Sequence, residues 1–272
     1  MESNPANTLE PISPCRPPAP YIGGKRMLAK RLIALINATP HTLYAEVFIG
    51  MGGVFFRRDR QPKAEVINDW SEDVSNLFRI LQHHYIAFMD MLRWQITSRA
   101  GFEKLLALEP RSLTDLQRAA RFLYLQRTAF GGKVTGRNFG VAPGNPARFD
   151  VTKLGPILEA VHERLASVSI ERMPWSDFIA RYDRPGTLFY LDPPYFGNEG
   201  DYGEGMFERA DFERMAEQLR GLRGRFILSL NDRPEVRRIF DGFAFREEDV
   251  RWTLSGNGAG NAKVAKEVII TG

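Results

Sequence analysis

Short apolar runs along the chain alternate with stretches whose apolar residues recur three and four positions apart. The runs are rich in β-branched and aromatic residues and end at Gly, Pro, Asn or Asp, which predicts buried strands between helices. The predicted strands are 43–48, 64–67, 168–170, 187–190 and 226–230. Strands that alternate with helices favour an α/β fold, in which right-handed crossovers build a mostly parallel sheet covered by helices.

Two departures from this alternation predict how the chain is organised. Extended runs at 243–253 and 264–271 follow one another without a helix, which predicts a C-terminal antiparallel hairpin. The stretch 76–164 is helical in pattern and carries one basic loop, so we interpret it as an inserted module. The flanking segments, 21–75 and 165–272, are then expected to close into one sheet domain.

The first 20 residues differ from the rest in composition. They contain six prolines, little hydrophobicity and no period. Such segments cannot bury enough apolar surface to offset the entropy of ordering. We therefore predict a disordered, proline-rich leader over 1–20.

Composition excludes several classes of protein. Cys15 is the only cysteine, so neither a disulfide framework nor a cysteine-based metal site is expected. The four histidines show no metal-ligand spacing, and we expect no metal. We find no signal-peptide pattern and no apolar run of membrane-spanning length, so we expect a cytoplasmic protein with no membrane partner.

Positive charge is concentrated in one region of the chain. The net charge is +4, yet seven Arg and Lys residues lie between 111 and 148 against a single acidic residue, Asp115. The loop 128–140 within this region alternates glycine, basic and aromatic residues, a composition that suits contacts to phosphates and base edges. A charge run is more often a solvated face, but the glycines and aromatics favour nucleic-acid contact here.

The most distinctive chemistry follows the predicted strand 187–190. The segment Leu191–Tyr195 (Leu-Asp-Pro-Pro-Tyr) brings the carboxylate of Asp192 to the C-terminal end of a strand, where open α/β sheets bind ligands. The two prolines fix the backbone and lack N–H groups, so neither strand nor helix continues through them. A proline turn with a half-buried tyrosine is the simpler alternative, but the accompanying motifs favour a reactive corner.

Two glycine motifs precede that corner. The segment Tyr21–Lys25 (Tyr-Ile-Gly-Gly-Lys) is predicted to open a helix, whose free N–H groups and lysine would bind a carboxylate or phosphate; a glycine turn with a solvated lysine is the alternative. The segment Gly50–Gly53 follows a strand and lets a ligand approach the backbone. Asp69 lies nineteen residues beyond Gly50, the distance at which nucleotide-binding folds place a carboxylate on ribose hydroxyls, although it could also cap the next helix.

The order and spacing of four motifs resemble those of the α-type DNA adenine methyltransferases. The motifs are Tyr21–Lys25, Glu46–Gly52, Asp69 and Asp192–Tyr195. The resemblance runs from about residue 20 to the C-terminus. It implies a Rossmann-like class I methyltransferase sheet, with the inserted module serving as a DNA-recognition module. It also implies S-adenosylmethionine as cofactor and double-stranded DNA as partner, and we expect the protein to act as a monomer on DNA.

The resemblance further implies roles in cofactor binding. Lys25 would bind the methionine carboxylate, Asp69 the ribose, and Asp177 would lie near the adenine of the cofactor. The full set implied is Tyr21, Lys25, Phe48, Gly50, Asp69, Asp177 and Asp192.

The catalytic roles implied by the resemblance agree with the chemistry of the reaction. The exocyclic amine of adenine is a poor nucleophile because its lone pair is delocalised into the ring. Asp192 and the carbonyl of Pro193 would accept its two hydrogens, while Tyr195 would stack on an adenine flipped out of the duplex. The predicted DNA contacts are Arg127, Lys133 and Arg137.

Three other functions share part of this pattern. A catalytically silent DNA-binding module of the same fold would not need the intact segment Asp192–Tyr195. An amino-methyltransferase acting on RNA or on a protein glutamine would usually lack a basic insertion of this size. A nicotinamide oxidoreductase would have a third glycine of the dinucleotide fingerprint where this chain has Phe55. The sequence therefore favours a site-specific adenine methyltransferase acting on duplex DNA.

Overall fold

The structure is a computed structural model that describes residues 9–140, 144, 146–203, 205–252 and 263–272. Its strands are β1 (Glu10–Pro11), β2 (Leu43–Glu46), β3 (Arg60–Gln61), β4 (Ala64–Asn68), β5 (Ser169–Glu171), β6 (Thr187–Leu191), β7 (Arg225–Asn231), β8 (Ala244–Trp252) and β9 (Lys263–Thr271). Its helices are α1 (Ala29–Ala38), α2 (Glu72–His83), α3 (Tyr85–Leu92), α4 (Arg99–Ala107), α5 (Asp115–Thr128), α6 (Val151–Leu165), α7 (Trp175–Tyr182), α8 (Arg209–Arg220) and α9 (Pro234–Ile239).

Seven strands form one sheet in the order β5-β4-β2-β6-β7-β9-β8. The first five are parallel, whereas β9 runs antiparallel to both β7 and β8. Every residue of β6 is buried, as expected for a central parallel strand covered by helices on both faces. The predicted α/β class and the C-terminal hairpin are confirmed; the loop expected between β8 and β9 lies outside the described residues.

Helices cover the two faces of the sheet with separate apolar cores. On one face, side chains of α1, α2, α5 and α6 pack with Tyr44 of β2 and Tyr190 of β6. On the other face, α7, α8 and α9 pack with Phe189 and Leu228. The helices of the predicted insertion belong to the first core, and α2 begins ahead of residue 76. The predicted module and the sheet therefore share one continuous interior.

The proline-rich segment packs against this body from residue 9 onward, contrary to the predicted disorder; residues 1–8 lie outside the described residues. Its strand β1 pairs with β3, and the backbone N–H of Cys15 donates to the carbonyl of Phe56 at 2.7 Å. Leu9 and Ala19 are buried. Proline-rich chain is extended and makes few hydrogen bonds to itself, so its carbonyls are available to donors of the folded domain. Composition alone does not show which donors of the folded domain will bind a proline-rich segment, so the order of this segment could not be predicted from it.

The segment Tyr21–Lys25 forms a turn and not the start of a helix, because α1 begins only at Ala29. The N–H of Gly24 donates to the carbonyl of Tyr21 at 3.1 Å, and Gly23 has a φ of 72°. Glycine adopts that left-handed conformation without strain, and it turns the chain sharply. Lys25 is consequently buried rather than exposed at a helix end. Across the part of the chain that the structure describes, no helix has the length and hydrophobicity to cross a membrane.

Candidate active site

A cavity of about 600 Å³ opens at the C-terminal ends of β2, β4 and β6. This edge of a parallel sheet is the usual place for ligands in open α/β folds. Six of the residues predicted from the sequence line it: Tyr21, Lys25, Phe48, Gly50, Asp69 and Asp192. The structure thus brings together motifs that are up to 171 residues apart in the chain.

Asp192 is held at one end of the cavity by two donors on the same oxygen. Leu191 pairs with Leu228 across β6 and β7, so the next residues, Asp192 and Ser229, lie side by side. The Ser229 hydroxyl donates to Oδ1 of Asp192 at 3.1 Å, and Lys25 Nζ lies 2.8 Å from the same atom. Oδ2 is then the oxygen able to accept a hydrogen bond from a substrate. Nothing in the sequence pattern assigned a role to Ser229, since it becomes a neighbour only through strand register.

Lys25 makes contacts other than those the resemblance implied. Its Nζ donates to the hydroxyl of Tyr195 at 2.8 Å and lies 4.2 Å from the centre of the Tyr195 ring. It also lies 3.5 Å from Oε2 of Glu267, and its side chain is 3% exposed. Lys25 is thus in close contact with Asp192 and Tyr195 and forms a longer ion pair with Glu267. The contact of Lys25 with a methionine carboxylate stays a prediction.

The protonation states of Lys25 and Asp192 depend on two opposing effects, burial and the ion pairs that they form. Burial disfavours the ammonium of Lys25, but the carboxylates of Asp192 and Glu267 outweigh it and raise its pKa. Burial raises the pKa of Asp192, and Lys25 opposes this rise. Lys25 is thus held as a cation that in turn favours the carboxylate form of Asp192.

The backbone after Asp192 is fixed by an amide from the neighbouring strand. Asn231 accepts from the N–H of Phe196 at 2.9 Å and donates to the Phe196 carbonyl at 3.0 Å. Pro193 and Pro194 are both buried. Two prolines and this paired amide keep the corner in a single conformation. The sequence showed Asn231 only as the end of a strand.

Gly50 and Asp69 are linked directly at the opposite side of the cavity. The N–H of Gly50 donates to Oδ2 of Asp69 and the N–H of Ser71 to Oδ1, each at 2.8 Å. Burial raises the pKa of Asp69 to about 6 although these two N–H groups lower it. Gly50 has a φ of 49°, and a Cβ there would come within 2.9 Å of the Tyr21 ring. Asp69 therefore caps the turn before α2 and also lines the cavity.

Glu46 is a buried carboxyl of the cavity wall to which the sequence assigned no role of its own. It is 2% exposed and accepts a hydrogen bond of 2.7 Å from the hydroxyl of Tyr44. Burial raises its pKa to about 8, against the Tyr44 hydrogen bond and Arg58, which lower it. At neutral pH this wall of the cavity therefore carries a protonated carboxyl.

Aromatic side chains form the remaining wall. Phe48 meets Phe207 edge to face with ring centres 5.9 Å apart, and Trp175 lies 6.4 Å from Phe207. Tyr202 stands over the Tyr21 ring at 5.8 Å, and its hydroxyl donates to the carbonyl of Ile22 at 3.1 Å. Flat apolar faces next to the carboxylate of Asp69 are suited to a nucleoside.

Comparison with known proteins assigns the chain to a family. The model of the D12 class N6 adenine-specific DNA methyltransferases matches residues 21–254. The chain belongs to this family. It is 26% identical to the type II methyltransferase M1.LlaDCHI of Lactococcus lactis subsp. cremoris, over 94% of this chain and 95% of that protein. It is 22% identical to the type II methyltransferase M.CviBI of Paramecium bursaria Chlorella virus NC1A, over 87% and 91%. It is 25% identical to a DNA adenine methylase of Vibrio cholerae, over 80% and 83%.

One predicted cofactor residue of this DNA methyltransferase lies away from the cavity. Asp177 is in the first turn of α7, exposed, and next to a buried Phe178 that packs under the sheet. The residues of this helix that reach the cavity are Trp175 and Ser176. The helix begins at Trp175, so positions 175 and 177 point in different directions. The carboxylate of Asp177 therefore lies outside the cavity lining, contrary to its predicted place near the adenine of the cofactor.

The three predicted DNA contacts of this methyltransferase occupy different environments. Arg127 donates to the carbonyl of Pro18 at 2.7 Å, and burial lowers its pKa. Arg137 is half-buried: it donates to Gln126 at 3.1 Å, and burial lowers its pKa. Lys133 is exposed. Of these three, Lys133 is the most exposed, whereas Arg127 and Arg137 also donate hydrogen bonds to the proline-rich segment and to the end of α5.

Among the described residues there is no group of three His, Cys, Asp or Glu side chains positioned to hold a metal ion.

Proposed function

We propose that this enzyme transfers the methyl group of S-adenosylmethionine to the exocyclic N6 amine of an adenine that is flipped out of duplex DNA. The observation that carries the proposal is the position of Asp192, which lines the cavity and whose Oδ1 is occupied by Lys25 and Ser229, so that Oδ2 is left for a substrate. A carboxylate held in this way is a hydrogen-bond acceptor with a fixed direction. Such preorganised groups account for much of enzymatic rate enhancement.

The residues of the cavity are suited to the cofactor. Asp69 can accept hydrogen bonds from ribose hydroxyls with the lone pairs that Gly50 and Ser71 do not use. Phe48 and Trp175 offer ring faces for an adenine. A volume of about 600 Å³ lies within the range of cofactor pockets. When bound, S-adenosylmethionine supplies a methyl group on a positively charged sulfur.

Asp192 and Pro193 prepare the target amine. Oδ2 of Asp192 and the carbonyl oxygen of Pro193 each accept one N–H hydrogen, which favours a tetrahedral nitrogen with its lone pair available for attack. Loss of one such contact typically reduces the rate by about 10²–10³-fold. Tyr195 is half-buried, with its hydroxyl on Lys25. We assign its open ring face to stacking on the extruded base.

The basic loop 128–140 supplies the DNA contacts in this proposal. Lys133 and the neighbouring exposed residues Phe130, Gly131 and Gly136 lie on it, and its carbonyl at Gly132 accepts from the N–H of Ile22 at 3.1 Å. That hydrogen bond places the loop next to the turn that carries Lys25. We further expect one monomer of the enzyme to act on each DNA site.

The direct test is transfer of a labelled methyl group from S-adenosylmethionine to duplex DNA, followed by mass spectrometry of the digested nucleosides. We expect N6-methyladenine with the wild-type enzyme and a loss of at least about 10²-fold with Asp192→Asn, with retained DNA binding. Asp177→Asn removes an exposed carboxylate outside the cavity and is the matched control, with activity near that of the wild type.

Three outcomes would contradict the proposal. Equal activity of Asp192→Asn and wild type would remove Asp192 from the reaction. DNA binding without any methyl transfer would favour a catalytically silent module. Faster methylation of RNA or of a glutamine-containing protein than of duplex DNA would assign a different substrate.

A further inference from the structure

Glu267 is a buried carboxylate beside the active site for which the proposed mechanism has no use. It lies in β9, where it pairs with Asn231 of β7 on one side and with Glu248 of β8 on the other. It is 1% exposed. A carboxylate buried to this degree requires a partner of opposite charge or several donors.

Lys25 is the cation that Glu267 faces. Oε2 of Glu267 lies 3.5 Å from Lys25 Nζ and makes no hydrogen bond to any described residue. Glu267 also forms a hydrogen bond with the hydroxyl of Tyr195, and burial together with this carboxylate raises the pKa of that hydroxyl. Glu267 therefore contacts two groups of the site but does not line the cavity itself.

Without Glu267 the position of Lys25 would be less strictly defined. A lysine side chain has a flexible four-carbon stem, which allows the ammonium several positions. Glu267, on β9, is an ion-pair partner of the ammonium and holds it against Tyr195 and Oδ1 of Asp192.

Glu267 also changes the charge that the target amine experiences. During methyl transfer from a bound cofactor, the S–C bond would break as the N–C bond forms, and the amine nitrogen would carry the positive charge until it releases one proton to solvent. Lys25 and Asp192 alone would be neutral as a pair. Counted with both carboxylates ionised, Lys25, Asp192 and Glu267 carry a net charge of −1, which favours the developing cation.

We propose that Glu267 is a positioning residue of the methyl-transfer reaction that acts through Lys25. It seats the ammonium on Oδ1 of Asp192, so that Oδ2 stays directed at the target amine, and it offsets the positive charge of the lysine. This inference rests on the proposed function.

A double-mutant cycle tests the inference, with Glu267→Gln, Lys25→Met and the combination of both. We expect Glu267→Gln to lower the single-turnover methylation rate constant by about tenfold or more, while the dissociation constants for S-adenosylmethionine and DNA stay within about twofold. In the Lys25→Met background the same substitution should cause no further loss, because its effect passes through the lysine. Glu267→Asp, which keeps the charge, should recover part of the rate.

Glu248→Gln is the matched control, since Glu248 is a buried cross-strand neighbour that pairs with Arg31 and Arg246 away from the cavity. Its rate constant should stay within about twofold of the wild type. Three outcomes would each overturn the inference. The control Glu248→Gln could lose as much rate as Glu267→Gln, or Glu267→Gln could keep the wild-type rate. The rate losses of Lys25→Met and Glu267→Gln could also prove independent of each other.

Urea denaturation of the same four proteins separates this inference from the proposed function. Coupling between positions 25 and 267 in the free energy of unfolding supports the pairing whether or not DNA is methylated. If the wild type showed that coupling but transferred no methyl group to DNA, the proposed function would fail and the pairing would stand. Additive effects on stability would overturn the pairing even in an active enzyme.

Discussion

Replacing Glu46 with glutamine should remove a large pH dependence of stability. Burial raises the pKa of Glu46 from 4.5 to about 8, so the folded protein holds its proton far more tightly than the unfolded chain does. A carboxyl with a raised folded pKa contributes its full stability below the unfolded value, near 4.5, and loses it as the pH rises through about 8. Glutamine has nearly the same shape, stays neutral, and can accept the hydrogen bond from Tyr44.

The size of the effect follows from the shift. One pKa unit corresponds to about 1.4 kcal/mol, so the shift of about 3.5 units corresponds to about 5 kcal/mol over the whole titration. Between pH 5.5 and 7.5 the wild type should lose about 2.5 kcal/mol from this group alone, and Glu46→Gln should lose none of it. Contributions from other groups, including Asp69, are common to both proteins and cancel in the difference.

Urea unfolding followed by tryptophan fluorescence at pH 5.5, 6.5 and 7.5 measures this difference. The stability of Glu46→Gln relative to wild type should rise steadily with pH. Tyr44→Phe removes a hydrogen bond that lowers the pKa of Glu46, so it should move the titration to higher pH. Glu213→Gln, an exposed carboxylate on α8, controls for loss of a surface charge. Parallel curves for wild type and Glu46→Gln across this range would show that the folded protein does not hold Glu46 protonated.

Three further experiments test the site and the basic loop. Ser229→Ala removes a donor to a charged oxygen and should slow single-turnover methylation by about tenfold or more with unchanged cofactor affinity; an unchanged rate would contradict it. Arg127→Met should lower the free energy of unfolding by about 1–2 kcal/mol with little effect on DNA affinity. Lys133→Ala should weaken DNA binding and reduce the salt dependence of binding by about one phosphate contact. Weaker DNA binding by Arg127→Met at full stability would refute the structural role of Arg127. Gly50→Ala should reduce cofactor affinity by about tenfold in a calorimetric titration, because its Cβ would displace the Tyr21 ring. Gly53→Ala is the control and should keep the wild-type affinity, since its Cβ would have no neighbour closer than 3.5 Å. Equal affinities of the two variants would contradict the steric explanation.

Local sequence signals were sufficient for the sheet and for the corner at Asp192. The run from Thr187 to Leu191 is apolar throughout because both faces of β6 are covered, and that pattern can be recognised in the sequence. The spacing between Gly50 and Asp69 likewise predicted two groups that are in direct contact. The Asp192 corner directly follows β6, and Gly50 and Asp69 follow the adjacent parallel strands β2 and β4, so each feature can be recognised from the residues that follow a strand.

The partners of Lys25 and Asp192 could not be predicted in the same way. Glu267 is 242 residues from Lys25 in the chain, and Ser229 reaches Asp192 only because of the register between β6 and β7. The charge pattern also could not show that Arg127 and Arg137 are half-buried and donate hydrogen bonds within the protein, since a count of basic residues carries no information about which side of a loop faces the protein. Burial and register belong to the assembled sheet, and they decide which charges reach solvent.

The hydrogen bonds around Gly132 limit how this enzyme could be re-engineered. Its carbonyl accepts from the N–H of Ile22 and from the side chain of Gln126, and a Cβ at Gly132 would come within 3.1 Å of Pro20 and Tyr21. Three segments thus form one unit that would have to be exchanged together: the basic loop, the end of α5, and the residues that lead into the turn Tyr21–Lys25. A chimera that takes only the loop from a relative would separate surfaces that fit each other. One that also exchanges residues 18–22 would preserve the fit.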